Sequence, residues 1–247
     1  NILISNDDGY ESVGLKVLLN IAEQLADNVL IVSPKINQSA KSKSITIKQN
    51  INFREMSKNF WIVDGTPTDC MIFALNHLFN KNKPDLILSG INAGSNIGDE
   101  VSYSGTVAAA WEGAVRGIDS IALSQYGGDD KINSYECSQA KGFDIINYLL
   151  KIKSQTPRFY NVNFPFIISS NLENVRSSFT TLASQKIADE ILFDDDFSSF
   201  MIGRMINDHS SLINTDLECL KKNKISITPL SLNLSNNEFF NKMNHDI

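Results

Sequence analysis

Residues 5–9 read Ser5-Asn6-Asp7-Asp8-Gly9, two adjacent carboxylates and a glycine directly after the apolar run Ile2-Leu3-Ile4. Adjacent carboxylates repel, and such a pair is costly near a buried strand end unless a cation offsets the charge. A divalent metal is the chemistry the pair invites. A solvated turn, made for backbone reasons alone, is the plainer alternative. Three further stretches offer oxygen ligands or amide donors. Asn37-Gln38-Ser39 opens a polar loop in which Ser39 offers a hydroxyl to a metal, a phosphate or solvent. Residues 89–98 place glycines at 90, 94 and 98 and asparagines at 92 and 96, a backbone that turns tightly and approaches something closely. This loop is neither a Walker A sequence, for no Gly-Lys-Ser/Thr follows, nor a GxGxxG fingerprint. Tyr103-Ser104-Gly105-Thr106 precedes an alanine-rich helical stretch. Its unpaired amides and hydroxyls form a ready phosphate cradle, or Ser104 and Thr106 serve only as caps.

Taken together, Asp7, Asp8, Ser39 and Asn92 supply hard oxygen ligands, which suit Mg²⁺ or Mn²⁺ better than zinc. A metal beside an anion cradle means phosphoryl chemistry. The cation polarises the phosphoryl group and lowers the pKa of a bound water. Asp7 or Asp8 is then positioned to take the water's proton, although a metal-bound carboxylate is a weak base. The three histidines, His77, His209 and His245, lie in none of these loops. That argues against a histidine-rich binuclear or phosphohistidine enzyme. The glycine-flanked serines lack a GxSxG context, and an aspartyl-nucleophile phosphatase of the HAD type wants two acids one residue apart, whereas Asp7 and Asp8 are adjacent.

Such residues need strands that end on one edge of a sheet. Leu15, Leu18, Leu19, Ala22 and Leu25 recur at helical spacing with Ser12 available as cap, and residues 29–32 form a second apolar strand ending at Ser33-Pro34. This βαβ rhythm predicts a parallel sheet, with the functional loops at the carboxyl ends of its strands. Residues 45–53 alternate apolar and polar and, with 60–63, predict a strand pair outside the main series. Thr68 is the expected cap of a helix burying Met71, Ala74, Leu75 and Leu78. Further strands are expected near 84–90, 118–124 and 159–165. Helices are expected after Ser104 or Thr106 up to Gly117, and over 137–150. Beyond residue 170 the rhythm changes to short aromatic-rich segments, read as a β-rich extension that finds its partner on another subunit. Asp194-Asp195-Asp196 reads as a solvated turn rather than a second metal site, and a short helix starts at Thr215-Asp216.

The chain's 247 residues, 42% hydrophobic and 20% charged, are ordinary for a globular protein and exclude wholesale disorder. Net charge of −6 without a dense Lys/Arg cluster argues against a nucleic-acid duplex as partner. No segment reaches the roughly 18 apolar residues of a membrane span. Nothing at the start resembles a signal peptide. Cys70, Cys137 and Cys219 are odd in number and widely spaced, which fits a reducing, cytoplasmic setting rather than a disulfide framework.

The ordered set Ser-Asn-Asp-Asp-Gly at 5–9, Asn-Gln-Ser at 37–39, Gly-Thr-Pro-Thr-Asp-Cys at 65–70, Ser-Gly-Ile-Asn-Ala-Gly-Ser-Asn-Ile-Gly at 89–98 and Tyr-Ser-Gly-Thr-Val-Ala-Ala-Ala at 103–110 resembles the SurE family of survival-protein nucleotidases. Asn-Thr-Asp at 214–216 and Ile-Ser-Ile-Thr-Pro-Leu at 225–230 extend the resemblance over nearly the whole chain. It implies a Rossmann-like three-layer α/β core with a mostly parallel sheet over residues 1–170. A β-rich extension and oligomerisation arm at 171–235, also packing back on the core, and a polar tail at 236–247 would follow. It further implies a homodimer or homotetramer with one divalent metal ion per subunit, Mg²⁺ or Mn²⁺. The implied activity is hydrolysis of nucleoside 5′- and 3′-monophosphates, with short polyphosphate as a further substrate. On the family's pattern Asp7, Asp8, Ser39 and Asn92 hold the metal, and Asn96, Ser104, Gly105 and Thr106 meet the phosphate. A nucleotide-binding regulator without turnover is the alternative, and the intact ligand set argues against it. Two departures, Glu11-Ser12-Val13-Gly14 after the acidic turn and a lysine-rich loop at 35–44, point to a different substrate rim.

Overall fold

A computed structural model describes residues 1–129, 131–167, 169–184, 186–207 and 213–236. The tail residues 237–247, His209 and His245 therefore lie outside the described residues.

The central strand β1 (Ile2–Ser5) is buried along its whole length. It pairs in parallel with β2 (Val29–Pro34) on one side and with β5 (Leu86–Ala93) on the other. Beyond β2 lie β4 (Phe60–Val63), parallel to it, and β3 (Phe53–Ser57), antiparallel at the edge. Beyond β5 the sheet continues through parallel β6 (Asp119–Gln125) and β7 (Phe159–Phe164), then β11 (Ile225–Pro229), antiparallel to β7, and β8 (Ser177–Phe179). The full order is β3-β4-β2-β1-β5-β6-β7-β11-β8. From β1 the chain runs outward to β2 and β4 and then returns to β5 across β1. The topological switch point therefore lies between β1 and β5, where open α/β sheets bind ligands.

Alternation along β1 divides the core into two layers, as the period of two requires. Ile2 and Ile4 pack with Leu15, Leu18 and Ile21 of α1 (Val13–Leu25) and with Ile145, Ile146 and Leu149 of α4 (Glu136–Lys151). Leu3 packs on the opposite face with Met71 of α2 (Pro67–Phe73) and Ala109 of α3 (Gly105–Val115). The result is a helix–sheet–helix sandwich of Rossmann-like form. Ser12 caps α1, its Oγ accepting from the Leu15 amide. Ser104 caps α3, and Gly117 follows its end at φ +80°.

Two local expectations need correction. The cap of α2 is Thr66, not Thr68: its hydroxyl accepts from the Asp69 amide while the Asp69 carboxylate accepts from the Thr66 amide. With Pro67 in the first turn, this is a capping box that moves the helix start two residues earlier. The strand expected over 45–53 does not form. Thr46 instead gives its amide and hydroxyl to Asp69, so its donors go to a helix cap and Ile45 and Ile47 stay exposed. The edge pair is β3 with β4, and it joins the main sheet through β2 instead of standing apart from it.

The C-terminal part contributes β8 and β11 to the main sheet, with α5 (Asp216–Lys221) preceding β11. It also carries an antiparallel hairpin of its own, β9 (Lys186–Phe193) with β10 (Phe200–Asn207). Asp194 sits in the hairpin turn and accepts from Ser198 and Ser199, which hold its carboxyl below the usual range.

Candidate active site

The carboxyl end of β1 delivers Asn6, Asp7 and Asp8 to the switch point. Fully buried Asn6 shapes the turn. Its amide donates to the Gly9 carbonyl at 2.8 Å and to Ser12 Oγ at 2.8 Å, and its Oδ1 accepts from Ser33 Oγ at the end of β2. The acidic turn is thereby tied to both the neighbouring strand and the cap of α1.

Asp7 is 3% exposed. The Thr106 hydroxyl donates to its Oδ1 and lies 3.3 Å from Asn92 Oδ1, so the carboxylate and the amide oxygen converge on one spot. Burial raises the Asp7 pKa, against the lowering effect of the Thr106 hydroxyl and of the amides of Asp7, Thr106 and Gly105. The first turn of α3 thus points its positive end at this carboxylate. Asp8 is less buried, and its Oδ2 accepts from the Ala93 amide at 2.9 Å. Asn92, at the end of β5, donates to the Gly94 carbonyl at 3.1 Å and leaves its oxygen toward Thr106.

Ser39 is exposed, and its amide donates to Asn37 Oδ1. Its loop is fastened to the site by the Gln38 amide, which donates to the Asp7 carbonyl at 2.7 Å. Asn96 is buried and held by three residues. Its amide donates to Asn163 Oδ1, its side chain donates to Ser124 Oγ at 2.8 Å, and its carbonyl accepts from Asn161 and Asn163. Ser104 Oγ accepts from the Val107 amide at 3.0 Å.

Among the described residues no ion pair joins Asp7 to Lys, Arg or His, and no three His, Cys, Asp or Glu side chains are placed to share an ion. A buried carboxylate without a cationic partner, beside a second carboxylate and a neutral amide oxygen, has the donor chemistry of a hard divalent cation.

Several supporting residues escaped the sequence reading. Asn161 and Asn163 alternate with buried Val162 on β7, and together they pin Asn96. Two asparagines inside an otherwise apolar strand were the available signal, since buried polar groups need partners. Asp216, wholly buried, accepts from the amides of Gly98, Ala183 and Leu217 and thereby anchors the glycine loop to the C-terminal part. The sequence marked it only as a helix start within a family-like triplet.

Fold and site together define a Rossmann-like α/β protein with an acidic crevice at its switch point and a helix start facing it. A family model described as "Survival protein SurE" matches residues 2–189. A protein of Paramagnetospirillum magneticum named 5′-nucleotidase SurE is 39% identical over 96% of this chain and 92% of its own length. A like-named protein of Methylorubrum populi is 35% identical over 95% and 94%. The crystal structure of a SurE protein from Aquifex aeolicus superposes with a TM-score of 0.84 at 30% identity, covering 98% of this chain and 97% of that one. The chain belongs to the SurE family.

Proposed function

We propose that this chain is a divalent-metal-dependent phosphomonoesterase that hydrolyses nucleoside 5′-monophosphates, with 3′-monophosphates and short polyphosphate as further substrates. The observation that carries this reading is the buried Asp7 at the switch point, paired with no Lys, Arg or His among the described residues, converging with Asn92 and facing the start of α3. The names of the relatives support it from outside.

In this reading Asp7, Asp8, Asn92 and Ser39 would hold one Mg²⁺ or Mn²⁺, which when bound would supply Lewis acidity toward the phosphoryl group and a water of lowered pKa. The protein does the rest. Thr106 fixes the rotamer of Asp7, and the Ala93 amide fixes that of Asp8. Asp8, the more exposed acid, is the residue to take the proton of the attacking water. Because Ser104 Oγ accepts from Val107, its hydroxyl hydrogen remains to donate to a phosphate oxygen. The amides at the start of α3 add their dipole there. Asn96 holds the glycine loop in place through its three polar partners, and the hairpin β9–β10 mediates a homodimer or homotetramer.

The test is phosphate release from a panel of nucleoside monophosphates after EDTA treatment and again after Mg²⁺ or Mn²⁺ is restored. Activity lost on chelation and regained with metal is expected, and Asp8→Asn should remove it without changing the folded state. Turnover that ignores EDTA, or an Asp8→Asn variant as active as its parent, defeats the reading.

A further inference from the structure

We propose, resting on the phosphomonoesterase reading above, that the cavity along the Ser104–Trp111 side of α3 is the subsite for the substrate's heterocyclic base, with the indole of Trp111 as its stacking surface. The cavity, of about 250 Å³, is lined on one side by Ser104, Val107, Ala108 and Trp111, with Lys43 and Phe159 beside them and residues of the C-terminal part between 182 and 234 completing the wall. Those four helix positions follow the i, i+3, i+4, i+7 stripe of one face. Its first member is the cap at the proposed phosphate position, and its last lies roughly 10 Å further along at ~1.5 Å per residue. A ribose spaces a phosphate from its base in the same way, so Val107 and Ala108 fall at the level of the sugar.

Size and chemistry choose the occupant. Pockets for drug-sized ligands run from roughly 300 Å³ upward, so this one suits a single ring system and not a peptide. Trp111 offers a flat face, already engaged by the Lys43 ammonium at 3.8 Å from the ring centroid and backed edge-on by Phe159. Lys43 belongs to an exposed loop and is free to yield that face to a base. The same loop spans both ends of the substrate. Gln38 binds the Asp7 carbonyl at one end, and Ser42 binds the carbonyls of Tyr103 and Ser102 next to the cavity. A cation over an aromatic face, on a loop that also reaches the acidic turn, complements a nucleotide's dianionic and aromatic halves.

The chain has two tryptophans, so Trp61→Phe leaves Trp111 as the sole indole. Titrating that protein with adenosine 5′-monophosphate should quench its fluorescence saturably, whereas ribose 5-phosphate and inorganic phosphate should not. Trp111→Leu should raise KM for adenosine 5′-monophosphate by roughly 5- to 150-fold, the range of losing one base–aromatic stack. Its kcat, and both constants for ribose 5-phosphate, should stay unchanged, and Trp111→Phe should restore most of the loss. Equal effects on the two substrates, or quenching by ribose 5-phosphate alone, overturns the proposal. So does a change of light-scattering mass in Trp111→Leu without the KM split, which would make a second copy of the chain the occupant. Should the protein hydrolyse no phosphomonoester with any metal, the activity reading falls while the fluorescence titration still decides the subsite.

Discussion

Gly105→Ala separates the site's geometry from the fold's stability. A Cβ on Gly105 would stand 2.8 Å from Asp7 Cβ, 3.0 Å from Asp7 Oδ2 and 3.0 Å from Pro67 Cγ. Neither neighbour is the end of a long flexible side chain: Asp7 sits on the turn after β1, and Pro67 opens α2. Relief therefore requires the Asp7 carboxylate, the start of α3, or both to move. Overpacking of this kind costs about 1–3 kcal/mol. Gly105 is not in the left-handed region, so alanine recovers about 0.4–1 kcal/mol through the unfolded chain. The net loss is about 1 kcal/mol, a shift of roughly 2–4 °C in Tm for a chain of this size. Activity should respond far more. A displacement of about 1 Å at a reacting group costs on the order of a hundredfold. We therefore expect kcat/KM for a nucleoside monophosphate to fall about that much while the melting curve barely moves. Phosphate release at saturating Mn²⁺ and thermal melts on the same preparation check both. A variant with parental kcat/KM and the small thermal shift would show that Asp7 need not hold this position, refuting the reasoning.

Three other outcomes follow from specific contacts. Burial raises the Asp7 pKa above its ordinary 3.8. For a carboxyl with a raised folded pKa, the linked stability is full below the unfolded pKa and is lost as pH rises through the folded one. In EDTA, Asp7→Asn should therefore match its parent at pH 3 and exceed it in denaturant midpoint from about pH 5 upward, with added metal narrowing the gap; equal midpoints at neutral pH would show that the buried charge costs nothing. Asp216→Ala strands the Gly98 and Ala183 amides in the interior, a loss of about 3 kcal/mol and roughly 6–12 °C in Tm, and an unaltered melting curve would deny the anchor. Phe200 and Ile202, 62% and 65% exposed on one face of β10, should carry the assembly contact; Phe200→Lys with Ile202→Lys is expected to lower the light-scattering mass to that of one chain, and an unchanged mass would move the interface elsewhere.

What could be read from the sequence, and what could not, has a physical boundary. Strands on both sides of the switch point announced themselves because a doubly covered parallel sheet needs continuous apolar runs, as in Ile2-Leu3-Ile4 and Leu86-Ile87-Leu88. The acids could be placed in the crevice because the residue after a central strand has nowhere else to go. Local pattern failed where the deciding partner was distant or where two caps competed. Residues 45–53 have the alternation of a strand, yet Asp69 captures Thr46 from 23 positions away. Thr66 and Thr68 are equivalent as caps until Asp69 closes a box with one of them. The asparagines that support Asn96 come from a strand 65 and 67 residues later. Such contacts leave only one trace in a sequence, a polar residue where burial is expected. Asn161 and Asn163 show that this trace is worth pursuing: at a strand's carboxyl end, next to a ligand crevice, a polar side chain that fits no core is there to hold something else in place. By the same logic Trp111 on α3 and Lys43 over its ring, a bulky ring and a charge along the helix whose start is proposed to meet the phosphate, are the residues in which this chain's substrate preference is to be sought.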